Sequence, residues 1–119
     1  MRVTIRNCQT GAVISSFPTL NTFMQVGTMQ ETSAGVPPGL RSPGHGVWNY
    51  ESGRRYTAAF QFYRFNTDGS YAGTLRTRTQ IEVSRFSNSF TSTASTEVFN
   101  PAGVLIATGC ATATGTRFE

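Results

Sequence analysis

Three turn signals recur at near-even spacing through the second half of the chain: Asn66-Thr67-Asp68-Gly69, the stretch 84–88, and Asn100-Pro101-Ala102-Gly103. Asp-Gly supplies a backbone that tolerates positive φ, and Pro a pre-set φ, which are what tight strand connections need. The signals cut this half into four long segments, 54–66, 70–84, 88–99 and 103–118. Connections this short force consecutive strands to pair antiparallel, so the half reads as a β-meander.

The segment 70–84 carries the cleanest pattern. Tyr71, Gly73, Leu75, Thr77, Thr79, Ile81 and Val83 share one face, and Ala72, Thr74, Arg76, Arg78, Gln80 and Glu82 the other. A period of two with the charges segregated means one buried and one solvated face. In 88–99 the inner set is Phe90, Ser92, Ala94, Thr96 and Val98, with Glu97 pointing outward. These inner faces mix apolar side chains with Thr, Ser and Ala. That suits a lumen with room in it, and equally suits small residues set opposite bulky ones across a core.

The first half is less regular. Strands are expected at 2–7, 12–17, 20–32 and 45–51, with Gly11 in the first turn. The stretch 33–44, with three Pro and three Gly, reads as a loop over one end of the fold. Composition agrees: charged residues are 13% of the chain against the usual ~25%, while nine Phe, four Tyr and abundant Thr, Ser and Gly favour pleated strands over helices. At 119 residues, with no internal repeat or linker, the chain is one domain, residues 1–119. The expected fold class is all-β: a single antiparallel meander barrel of seven to eight strands, near the number that closes around side chains or one small ligand.

Two cysteines, Cys8 and Cys110, lie near opposite ends of the sequence. They are too few for a zinc site, and form no Cys-x-x-Cys motif. A disulfide between them would place the chain in an oxidising compartment, secreted or periplasmic; the alternative is a pair of buried free thiols. No signal peptide or apolar span is visible, which gives the expectation of a soluble domain whose Met1 follows a removed leader. The net charge is +4, and all ten basic residues are Arg. A nucleic-acid binder usually adds Lys. The run Phe60-Gln61-Phe62-Tyr63-Arg64-Phe65 could form a stacking platform for a single strand, but the absent Lys, the expected disulfide and the meander order argue against nucleic acid as a partner. Strand edges near Arg2 and the C-terminus leave a homo-oligomer open.

Gly46-Val47-Trp48 entering an early strand, with Arg117 near the end of the last, resembles the calycin and lipocalin pattern, in which the Trp lies at the closed end of the barrel and the Arg covers it. Two or three strands before Gly46, and no second lipocalin motif, depart from that pattern. The order of Trp-bearing strand, meander and Asp-Gly turn resembles the allene oxide cyclase barrel and dirigent-like group. Asn7-Cys8-Gln9-Thr10-Gly11, Ser42-Pro43-Gly44-His45-Gly46-Val47-Trp48, Phe62-Tyr63-Arg64-Phe65-Asn66 and Ala107-Thr108-Gly109-Cys110 resemble small secreted bacterial proteins of that barrel type across nearly the whole chain. The resemblance implies a barrel, and no particular chemistry.

His45 is the one histidine, a candidate acid or base at a barrel mouth with Glu31 as partner; the plainer reading is a loop His bonded to backbone. Glu31, in a largely apolar-and-Thr strand, is a candidate catalytic carboxylate whose pKa a lumen would raise, or a solvated strand-end residue. Arg41 can bind a carboxylate ligand or simply be exposed. Trp48, Tyr56, Phe60, Phe62, Tyr71 and Phe90 are candidate lumen aromatics, although burial alone, worth about 1.5–3 kcal/mol for each Phe, justifies them as core. No metal is expected from one His, and no cofactor, because no phosphate-cradling glycine loop or dinucleotide fingerprint is present. No Ser-His-Asp arrangement or Gly-x-Ser-x-Gly supports a hydrolase. Three functions follow: a binding barrel for a small hydrophobic or amphipathic ligand, a cofactor-free isomerase or cyclase, or a structural domain with a filled interior.

Overall fold

A computed structural model describes residues 1–118. Eight strands follow one another: β1 (Arg2–Arg6), β2 (Val13–Phe23), β3 (Thr28–Ser33), β4 (Gly44–Ser52), β5 (Arg55–Phe65), β6 (Tyr71–Val83), β7 (Ser89–Phe99) and β8 (Leu105–Thr116). A single 3-10 turn, Pro38–Leu40, lies between β3 and β4. Each strand pairs antiparallel with the next, and β1 pairs with β8, from Arg2 opposite Thr114 to Arg6 opposite Cys110, so the sheet closes into a barrel. The strand edges near Arg2 and in β8 are therefore spent on each other. None of the helical structure is long and apolar enough to cross a membrane.

Register decides what faces inward. Ile81 lies opposite Tyr56 on one side and Ser92 on the other, Thr79 opposite Ala58 and Ala94, and Thr77 opposite Phe60 and Thr96. Across the seam Ala113 faces Val3 and Ala111 faces Ile5. With side chains alternating along each strand, these rows stack into one interior. The inner sets expected for 70–84 and 88–99 hold, except that Tyr71, beyond a register shift between Arg64 and Phe65, stands 43% exposed. It packs edge-on against Tyr63 instead, with centroids 5.9 Å apart.

The first half differs from its expected boundaries. A break between 12–17 and 20–32 does not occur at Pro18; β2 runs through it, and the chain turns at residues 24–27 instead. Pro18 costs no ladder bond there. Its carbonyl accepts from Ala34 N–H just past the end of β3, and its nitrogen points to that same side. The turn that replaces the expected break is closed by Gly27 N–H donating to Met24 O, with Gly27 at φ +97°.

The barrel has two unlike ends. The connections β1–β2, β3–β4, β5–β6 and β7–β8 gather at one, here the loop end. The connections β2–β3, β4–β5 and β6–β7 gather with both chain termini at the other, the mouth end. In the β5–β6 turn, hydrogen bonds from Ser70 Oγ and N–H hold the exposed Asp68 carboxyl below the usual aspartate range. That anchoring is present above the ordinary Asp pKa and is lost as pH falls through the lowered one.

Cys8 and Cys110 form a disulfide, with Cα atoms 5.2 Å apart and a sequence separation of 102. It staples the seam just beyond β1, the shortest strand at 5 residues. In the chain-entropy picture, closing a loop of that length stabilises by about 4–5 kcal/mol. Reduction, or replacement of both cysteines by Ser, is expected to lower the unfolding free energy from urea titration by an amount of that order, and reductant should leave the Ser variant unchanged.

Candidate functional site

Glu31 and Arg41 meet inside the loop end. Alternation in β3 turns Met29, Glu31 and Ser33 inward. The 34–43 loop then folds back so that Arg41 bridges to Arg64 of β5 and its side chain enters the barrel. The two residues are 5% and 8% exposed. Arg41 Nη2 pairs with Glu31 Oε2, while Nη1 donates to Glu31 Oε1 at 3.2 Å and to Ser33 Oγ at 2.9 Å. Nε donates to the Ser42 carbonyl at 2.9 Å, and the guanidinium carbon stands 3.6 Å from the Phe62 ring centroid. The Thr19 hydroxyl sits 3.2 Å from Glu31 Oε1 and 3.0 Å from the Thr32 carbonyl. A charge pair taken out of water is tolerable when its remaining donors and acceptors find partners, and here four of the five guanidinium N–H groups have one. Gly44 leaves the space: a Cβ there would lie 2.7 Å from Glu31 Oε2.

This pairing answers two expectations. Arg41 is neither exposed nor free for a ligand carboxylate, because Glu31 occupies it. Glu31 does lie inside, but as the partner of a guanidinium. His45 is on the other side of the sheet: in β4 it stands between Gln30 and Gln61, outward and exposed, while its neighbours Gly44 and Gly46 face in. Glu31 lies opposite Gly44 and shares the inner face, so His45 and Glu31 do not form a pair. The Gly-His-Gly segment, read around His45 as loop, is strand from Gly44 onward. Its second glycine is required by packing, since a Cβ at Gly46 would fall 1.9 Å from the Ala59 carbonyl oxygen.

The mouth end is built differently. Trp48, inward on β4, donates from Nε1 to the Met24 carbonyl at 2.8 Å. Trp48 and Tyr56 rings lie 5.9 Å apart, and Tyr56 meets Tyr50 edge-on at 5.2 Å. Trp48, Tyr56, Phe23, Val83 and Phe90 wall an open depression of about 640 Å³, with Arg117 at its rim. Beneath it, a smaller, less open and mostly apolar cavity of about 130 Å³ lies among Met29, Phe60, Phe62, Ile81 and Ala94. Met1, Asn21, Phe23, Ile81 and Phe90 line both spaces, so the depression and the cavity adjoin.

Five of the six expected lumen aromatics thus belong to this site: Trp48 and Tyr56 at the mouth, Phe60 and Phe62 in the cavity, and Phe90 at the junction. Tyr71 does not; its ring is at the loop end and its hydroxyl is 2.9 Å from Thr74 Oγ1. Trp48 likewise lies at the open end, where the calycin resemblance implied the closed one. Sequence reading missed Asn21, Phe23 and Met29. The i, i+2 alternation Thr19, Asn21, Phe23 was the signal for the first two. Among the described residues, no three His, Cys, Asp or Glu side chains are placed to hold a metal ion.

Removing one partner of a buried ion pair leaves an uncompensated charge. Arg41→Ala is therefore expected to cost about 3–5 kcal/mol in urea unfolding, and the double variant Glu31→Leu/Arg41→Leu considerably less. A search against protein-family models, curated proteins and solved structures finds no match for this chain.

Proposed function

We propose that the protein is a container that holds the apolar part of a small hydrophobic or amphipathic molecule in its lumen and admits it through the Trp48 end. One observation carries this reading. A depression with an aromatic wall and a partly polar lining abuts a mostly apolar cavity inside the barrel, while the opposite end holds the buried Glu31–Arg41 ion pair. Affinity in such a site comes from burying ligand surface against side chains already in place. The disulfide is in keeping with an extracellular or periplasmic setting.

The isomerase or cyclase alternative has less support. Of its two candidate groups, Glu31 is committed to Arg41 and His45 faces away from the lumen. A shaped cavity remains, but among the described residues no free carboxylate or imidazole lines it. A filled structural barrel is disfavoured by the size of the interior space, several times what one water needs.

Trp48 is the only tryptophan and lines the mouth, so its emission reports occupancy directly. Titration with alkylphenols and medium-chain fatty acids is expected to give a saturable change with at least one of these classes. Ala94→Phe, which places a ring in the cavity, should abolish the change while far-UV circular dichroism stays that of the parent. An unaltered Trp48 signal across both classes would sink the proposal.

A further inference from the structure

Asn21 is the one polar amide among the residues that line both the mouth and the cavity. It projects inward from β2, between Thr19 and Phe23 and opposite Glu31. Its Nδ2 lies 3.2 Å from Met1 Sδ. A thioether has no proton to give, so the amide must turn its nitrogen to the sulfur and its oxygen away from it. That oxygen, Oδ1, is the sole buried side-chain polar atom without a hydrogen-bond partner among the described residues. Nearby groups cannot supply one. Glu31 only accepts when paired with Arg41, and the Thr19 hydroxyl is directed to Glu31 Oε1 and the Thr32 carbonyl. An orphaned buried acceptor costs free energy that an apolar side chain of the same shape would avoid.

We infer that Asn21 Oδ1 is the recognition point for a hydrogen-bond donor on the ligand, a phenolic or alcoholic hydroxyl held where the mouth and the cavity meet. The inference rests on the container reading above. Size narrows the class further. A dry cavity of about 150 Å³ takes one benzene ring, and the cavity here is about 130 Å³. The inner part of the ligand is therefore one ring or a short branched chain carrying the hydroxyl. Any longer apolar tail lies in the mouth against Trp48, Tyr56 and Phe90, toward the Arg117 rim. The polar group is thus read at the junction of the two spaces, and any apolar tail at the entrance.

The test uses p-cresol and p-xylene, which share a shape and differ by hydroxyl for methyl, with binding followed by Trp48 emission and calorimetry. In the parent protein the ratio of p-cresol to p-xylene affinity is expected to be about tenfold or more above that in Asn21→Leu, and the variant should bind p-xylene at least as well as the parent. Asn21→Leu should also melt no lower than the parent, because it removes an unsatisfied buried acceptor. An unchanged ratio with both probes bound overturns this inference and leaves the container standing. If neither probe binds either protein, the inference falls, and the fatty-acid titration above then decides the container reading. A strongly destabilised Asn21→Leu assigns the amide to the fold and overturns its role in recognition.

Discussion

The pairing of β1 with β8 is the constraint on which the rest of the structure depends. Without it the sheet has two free edges and no inside. With it, every second residue of eight strands is committed to one shared interior, and a single register slip would exchange the inner and outer sets of a strand. The interior is then filled unevenly. β8 contributes Gly109, Ala111, Ala113 and Gly115, while β5 contributes Tyr56, Phe60 and Phe62. Gly115 directly faces Phe90, where a Cβ would lie 2.4 Å from ring carbons. The small residues make room for aromatic ones, and the remainder of the space is the cavity. Both explanations for a half-polar inner face apply, at different heights of the same barrel.

The two ends solve the closure problem with opposite chemistry. At the loop end an ion pair is acceptable because Ser33, Thr19 and a backbone carbonyl share its hydrogen bonds and an aromatic face lies against the guanidinium. At the mouth end an aromatic wall, with Ser, Thr and Asn side chains beside it, is open to solvent. Core packing follows the same division: Met29, Ala58 and Ile81 are buried together, with Trp48, Tyr56, Phe60, Val83 and Phe90 packed on them toward the mouth. The stable part of the interior and the accessible part are thus contiguous.

Much of the architecture could be read from local signals. Asp68-Gly69 and Pro101-Ala102-Gly103 placed the meander turns, and alternation from Gly73 to Val83 gave the correct inner face, because both depend on neighbouring residues alone. Pro18 misled, since whether a missing N–H matters depends on where the adjacent strand ends, and that is a property of the assembled sheet. The Glu31–Arg41 pair was similarly out of reach: each residue stood out by itself, but their meeting depends on the loop doubling back. Tyr71 was misassigned because a register shift beside Phe65 breaks the alternation that predicted it. Asn21 was passed over since nothing in a sequence announces an amide left without a partner.

Both described chain termini lie at the mouth: Met1 lines the cavity as well as the entrance, and Arg117 and Phe118 stand on the rim. An affinity handle, fluorophore or partner domain joined at either terminus would therefore hang across the opening and compete with whatever approaches it. The turns at the far pole, such as residues 100–104, offer attachment points that leave the doorway clear.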